Sequence, residues 1–210
     1  MPRRDQRPAN VAYYRRNREF EIARVRVRQQ GTIDLLREMR SDPCMDCGGR
    51  FAAHQMDFDH RDATIKRFRL TSGGAMLRSA AAIREEAAKC DVVCANCHRI
   101  RTQRRRAATG REPHGTSAGI ERRRARWRAQ ARMLDGLRQR PCADCGGTYP
   151  PCAMDFDHRD PASKRSAVTR MIGRAGTTRI LEEVAKCDIV CANCHRLRTF
   201  ARRSAGSVRE

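Results

Sequence analysis

Four Cys-x-x-Cys pairs punctuate this chain: Cys44 with Cys47, Cys94 with Cys97, Cys142 with Cys145, and Cys191 with Cys194. Two thiolates at this spacing reach one zinc ion at about 2.3 Å each, and two such pairs complete a tetrahedron. The expected chemistry is two structural Zn2+ sites, one on Cys44, Cys47, Cys94 and Cys97, the other on Cys142, Cys145, Cys191 and Cys194. Within each set the pairs stand 46 and 45 residues apart, more than a plain zinc ribbon spans. The inserts therefore have room for a second chemistry. Each holds an Asp-His step, Asp59-His60 and Asp157-His158, and each closing knuckle is followed at once by a histidine, His98 or His195. A carboxylate and an imidazole can share a divalent cation, while a second imidazole that titrates near neutrality acts as a base. That set suits phosphodiester hydrolysis: the metal neutralises charge on the phosphorane and leaving oxygen, and the base deprotonates water.

These residues recur because the chain contains one unit twice. Residues 43–62 read PCMDCGGRFAAHQMDFDHRD and residues 141–160 read PCADCGGTYPPCAMDFDHRD, an offset of 98. Residues 85–99, EEAAKCDVVCANCHR, return at 182–196 as EEVAKCDIVCANCHR, an offset of 97. Positions kept in both copies are candidates for shared work. By that filter Cys90 and Cys187 are small buried hydrophobes beside the knuckles. His54 and Cys152, which align but differ, are peripheral. Asp57 and Asp155 share a strand face with Asp59 and Asp157, and are either helper ligands or solvated.

The elements that must position these groups follow from periodicity and punctuation. Trp127, Ala131 and Leu134 mark one helix face, and Ile33, Leu36 and Met39 mark its counterpart after a Thr32 N-cap. Gly31 is expected to separate that helix from an earlier one over about 11–28. The glycines after each first knuckle supply a tight turn. Met56-Asp57-Phe58-Asp59 alternates as a short strand. Ser72-Gly73-Gly74 ends a variable loop, and helices over about 75–89 and 178–186, the latter capped by Thr177 or Thr178, lead to the second knuckles. Residues 99–119 form a basic helix that dissolves into a linker. The resulting organisation is a basic helical extension at 1–31, a first unit at 32–106, a linker at 107–119, a second unit at 120–203 and a tail at 204–210. The termini, 1–10 and 202–210, are expected to be disordered.

Charge narrows the function class. Lys plus Arg is 45 against 24 for Asp plus Glu, a net charge of +21 that draws the chain to polyanions. Lys66, Arg67, Lys164, Arg165, Arg99, Arg101, Arg196 and Arg198 are the candidate phosphate contacts. No apolar run suits a membrane span, and no secretory signal is visible. An odd count of 11 cysteines argues for metal thiolates over a disulfide framework. A soluble, cytoplasmic nucleic-acid binder or processor is the expected class.

The run Asp-Phe-Asp-His-Arg-Asp between two knuckles, the second ending Cys-His-Arg, resembles the zinc-containing HNH endonucleases related to recombination endonuclease VII. The resemblance covers about 41–102 and 139–199. It implies an α+β chain of two tandem ββα-metal (His-Me finger) units with basic flanking helices. By the same resemblance Asp59 and His98 would hold Mg2+ or another divalent cation with His60 as general base, and Asp157, His195 and His158 would repeat the set. Family members cut DNA to leave 5′-phosphate and 3′-hydroxyl ends, and a phage origin fits the likeness. The family's central Asn is replaced here by Lys89 and Lys186. Asn96 and Asn193 sit inside the knuckles, where they are read as satisfying the turn.

The sequence thus points to a metal-dependent DNA endonuclease with two sites, acting on duplex or branched DNA as a monomeric pseudo-dimer or as a homo-oligomer. The missing Asn sustains an alternative, a zinc-stabilised nucleic-acid-binding protein that cuts weakly or not at all. An RNA-binding role rests on charge alone.

Overall fold

The structure is a computed structural model that describes residues 7–109 and 118–206. Of the termini expected to be disordered, residues 7–10 and 202–206 are helical, while 1–6 and 207–210 lie outside the described residues, as do 110–117 of the predicted linker. The elements in chain order are α1 (Arg7–Arg16), α2 (Arg18–Glu38), β1 (Met56–His60), α3 (Ser72–Ala75), α4 (Ala80–Ala87), β2 (Cys90–Cys94), α5 (Ala95–Thr109), α6 (Ala118–Leu137), β3 (Met154–His158), α7 (Val168–Met171), α8 (Thr177–Val184), β4 (Cys187–Cys191) and α9 (Ala192–Gly206). The chain is α+β: β1 pairs with β2 and β3 with β4, each pair a two-stranded sheet. No helix among the described residues is long and apolar enough to cross a membrane.

Contacts group the chain into two compact units, Met1–Asp42 with Phe58–Val92, and Pro43–Asp57 with Val93–Glu210. In the first unit Leu36, Leu70, Ala75, Ile83, Ala87 and Cys90 form the core, with Phe58 and Phe68 packed against it. The Arg40 guanidinium stacks 4.8 Å above the Phe58 ring. In the second unit Leu134, Val168, Ile180 and Cys187 form one cluster, and Cys142, Met154, Val190 and Cys191 another around the cysteines. Cores this small bury little apolar surface, so metal binding is an apt source of further folding free energy.

Several predicted boundaries move. The break expected at Gly31 is absent: α2 runs unbroken through it, and Thr32, predicted as an N-cap, instead donates its hydroxyl to the Arg28 carbonyl at 3.1 Å. One mid-helix glycine costs only about 1 kcal/mol, which the burial of Leu36 offsets. The helix expected over 75–89 is two. Ser72-Gly73-Gly74 lies inside α3, and Ser79 caps α4 by accepting from the Ala82 N–H. Helix α8 begins at Thr177, with Gly176 rather than a threonine side chain at its N-cap. The predicted strand Met56–Asp59 is present as β1 and extends to His60.

Candidate functional site

Each first knuckle is a tight turn in which Gly48 or Gly146 takes φ +68°, a conformation costly for side-chain-bearing residues. The turn brings the Cys94 N–H to the Cys44 sulfur at 3.2 Å, and the Cys191 N–H to Cys142 at the same distance. Burial opposes ionisation of Cys44 and Cys142, but backbone donors outweigh it, Cys94, Cys47 and Asp46 for the first and Cys145, Cys191 and Asp144 for the second, and bring both thiols down to about 7. In each set the four sulfurs lie within 4.8 Å of one another. Zinc bonds of about 2.3 Å would set tetrahedral sulfurs roughly 3.8 Å apart. Both groups are thus compatible with a structural zinc ion. Among the described residues they are the groups of three or more Cys, His, Asp or Glu drawn this close. Cys90 and Cys187 are buried outside them, as expected, their thiols pushed up to about 11 by burial.

The second repeat lies wholly in one unit, and its chemistry can be followed atom by atom. Strand β3 pairs antiparallel with β4, Met154 opposite Cys191 and His158 opposite Cys187, so the knuckle that starts α9 is fixed to the strand carrying Asp157. Asp155, Asp157, His158, Lys164, His195 and Arg202 line a cavity of about 160 Å³. The His195 Nδ1 meets Asp155 Oδ2 at 2.8 Å. An ionised carboxylate only accepts, so Nδ1 carries the hydrogen and Nε2 of the neutral ring offers a lone pair. That Nε2 stands 3.5 Å from Asp157 Oδ1. His158, 5% exposed, is held the opposite way round, its Nε2 2.8 Å from Glu183 Oε1. The His158 side chain lines the same cavity.

Asp157 is heavily engaged. It sits opposite Asp188 across the sheet, a repulsive pair that Arg198 bridges at 3.1 Å and 2.9 Å. Arg202 grips the Asp157 carboxylate with two bonds of 2.8 Å. Burial would raise the Asp157 carboxyl, but these arginines hold it below the usual range.

No known family, curated protein or solved structure matches the chain.

Sequence reasoning missed Glu86 and Glu183. Each is 1% exposed, and each repeat uses it identically. Glu183 accepts from Lys186 Nζ at 2.7 Å, His158 Nε2 at 2.8 Å and the Arg165 N–H at 2.8 Å. Glu86 accepts from Lys89, His60 and the Arg67 N–H at 2.7, 2.9 and 2.8 Å. Burial would raise both carboxyls; the hydrogen bonds win and hold them at about 2. The signal was present, since both glutamates and both lysines stand inside the repeated block 85–99 and 182–196.

Of the first-repeat candidates, Asp59 and His60 are buried on β1, 3% and 7% exposed. His98 pairs through Nδ1 with Asp57 Oδ2 at 2.8 Å, as His195 does with Asp155. Asp57 and Asp155 thus orient histidines, resolving the alternatives open from the sequence. Each also receives an arginine from the other repeat: Arg196 reaches Asp57 and Arg99 reaches Asp155, both at 2.7 Å. Arg101 pairs with Asp46 and Arg198 with Asp144. Six of the eight predicted phosphate contacts therefore carry ion pairs within the chain, these four and two more exposed ones. Lys66 and Arg67 are exposed, Arg67 reaching Glu85 at 3.4 Å, and Arg165 reaches Glu182 at 3.8 Å.

Two readings need correction. Asn96 and Asn193 do not serve their own turns. The Asn96 N–H donates to Asn193 Oδ1 at 3.3 Å and the Asn193 N–H to Asn96 Oδ1 at 3.1 Å, a buried reciprocal clasp between the repeats. Nor is His54 peripheral: it stacks on Phe200 of the second repeat, with ring centroids 4.2 Å apart.

Proposed function

We propose that this protein is a metal-dependent DNA endonuclease of the zinc-containing HNH type, with a ββα-metal centre in each repeat. The observation that carries the reading is the cavity in which the His195 Nε2 lone pair and Asp157 Oδ1 lie 3.5 Å apart beside His158. Two donors so placed suit a small divalent cation, whose cis ligands stand roughly 3 Å apart at metal–ligand distances near 2.1 Å. Asp155 fixes the ring of His195 as carboxylate–histidine pairs do at metal centres. A cation held by Asp157 and His195 supplies charge neutralisation at the scissile phosphate and its leaving oxygen.

The chain's own residues do the rest. His158 takes the proton of the attacking water on Nδ1, and the Glu183 carboxylate against Nε2 stabilises the imidazolium so formed. Glu183 and Glu86 thereby fill the orienting place that the family gives to its central Asn. Lys164 lines the cavity where a phosphate would enter. Water oxygen bonds to phosphorus, the bond to the 3′ oxygen breaks, and the products are a 5′-phosphate and a 3′-hydroxyl.

The second reading, a zinc-stabilised binder that does not cut, draws on the Arg202 grip of Asp157, which a cation must share or displace. Plasmid nicking separates the two. The wild type should nick and linearise supercoiled DNA with Mg2+ or Mn2+, and His60→Ala combined with His158→Ala should abolish it. Equal cutting by wild type and double variant refutes the catalytic assignment. Salt-sensitive binding without cutting under any divalent cation favours the second reading.

A further inference from the structure

Beside the cavity, and sharing Thr169 with it, lies an open groove of about 460 Å³ lined by Arg123, Trp127, Arg170, Ile172, Gly173 and Arg174. Trp127 is 51% exposed, unusual for the largest apolar side chain in a chain with few aromatics. Among the described residues nothing covers its outer face. Its inner edge packs on Gly173, where an added Cβ would stand 3.1 Å from Trp127 Cδ1 on a backbone of φ +74°. The loop is locked to α6 from below. Gln130, 3% exposed, accepts from the Gly173 N–H at 2.8 Å and donates to the Ala175 carbonyl at 3.0 Å, and Arg126 donates to the Gly173 carbonyl. These bonds fix the platform from below, while among the described residues its upper surface stays exposed. Arg123, Arg170 and Arg174 are exposed around it, and none has an acidic partner among the described residues. They contrast with Arg99, Arg101, Arg196 and Arg198, which are all committed to carboxylates.

We propose that this groove is a nucleotide-binding subsite, in which an unpaired base stacks on Trp127 while its flanking phosphates are held by Arg123, Arg170 and Arg174. An indole face surrounded by uncommitted guanidinium groups matches the two surfaces of a single-stranded nucleic acid, a flat π-face and an anionic backbone. A paired base in a duplex keeps its faces stacked on its neighbours and cannot use the indole, so the groove favours unpaired nucleotides. The shared Thr169 places such a nucleotide next to the Asp157 and His195 cavity. The subsite belongs to the second repeat alone: the residue 98 positions before Trp127 is Gln29. The inference rests on the proposed function only in taking nucleic acid as the ligand.

Trp127 is the sole tryptophan of the chain, so its emission reports on the subsite directly. The zinc-loaded full chain is titrated at low salt, without added Mg2+, with a labelled oligothymidylate of about 12 nucleotides. Anisotropy reads binding and tryptophan emission reads stacking. The oligonucleotide should quench the emission as anisotropy saturates, whereas an abasic oligonucleotide or inorganic polyphosphate should bind and leave the emission largely unchanged. Trp127→Ala should weaken oligothymidylate binding about tenfold and Trp127→Phe by no more than about threefold. Arg170→Gln with Arg174→Gln should lower the salt slope by about 2. Trp127→Phe and the emission of the unaltered chain decide the matter even where Trp127→Ala misfolds. Saturable binding without quenching, or equal quenching by polyphosphate, overturns the subsite but leaves the nuclease reading intact. Absence of any binding overturns the subsite, and plasmid nicking then decides the nuclease reading by itself.

Discussion

Replacing Glu183 by glutamine isolates the buried carboxylate that holds His158. Three donors converge on Oε1, from His158, Arg165 and Ser166 at 2.8, 2.8 and 3.3 Å, and Lys186 alone meets Oε2 at 2.7 Å. A glutamine can keep its oxygen toward the three, which forces its NH2 group against the Lys186 ammonium. The substitution thus loses one charge-assisted bond and creates a donor–donor contact. Lys186, 27% exposed, can partly turn to water. The expected cost is about 2 kcal/mol, against about 3–5 kcal/mol for Glu183→Ala, which strands every donor. In a chain of 210 residues, 2 kcal/mol lowers Tm by roughly 4–8 °C. Adding Lys186→Met to Glu183→Gln removes the opposed donor and should restore part of the loss. The pH dependence has a definite sign. The folded carboxyl sits at about 2 against an ordinary 4.5. Its stabilisation is therefore complete above about pH 4.5 and fades as pH falls from there toward 2, by up to about 1.4 kcal/mol per pH unit. Thermal unfolding of wild type and variant from pH 7 to pH 4 measures this difference. A variant as stable as wild type at pH 7, or a gap that widens on acidification, refutes the reasoning, whether or not the chain cuts DNA.

Other predictions follow from the same geometry. Leu134 is fully buried, so Leu134→Ala should cost about 2–4 kcal/mol by chemical denaturation, and a loss below 1 kcal/mol contradicts its place in the core. Asn96→Ala and Asn193→Ala each remove one half of a clasp. Each variant strands the buried N–H of its partner and should cost about 1–3 kcal/mol by chemical denaturation, and a loss below about 0.5 kcal/mol for both would show that the bonds do not form. Arg99 and Arg196 are positioned to act across repeats. On the proposed nuclease reading, with the first site silenced by His60→Ala, Arg99→Ala should slow any remaining nicking about tenfold and Arg196→Ala should not, the pattern inverting in a His158→Ala background. Equal effects in both backgrounds would remove the cross-repeat role.

How much of this was legible beforehand depends on range. The knuckles, their glycine turns and the strand Met56–Asp59 are local patterns, set by neighbours two or three residues away, and the sequence displays them directly. The duplication exposed Asp157, His158 and His195 as a repeated set. The helix boundaries failed where tertiary packing overrode a local breaker, as at Gly31, or where an ordinary-looking serine became a cap, as at Ser79. Glu86 and Glu183 were visible as repeated residues but mute about role, because their partners His60 and His158 lie 26 and 25 residues away. Least legible were Arg99, Arg196, Asn96 and Asn193. Each looks like a surface charge or a turn residue within its own copy, and acquires its partner only when two copies face each other.

Each repeat gathers four cysteine sulfurs in a group fit to hold zinc, and native mass spectrometry of the purified chain weighs that occupancy directly. Two zinc ions per polypeptide, falling to one when Cys142 and Cys145 are both replaced by serine, is the expected result. A mass corresponding to no bound metal, with the eight knuckle cysteines free or joined as disulfides, would contradict it.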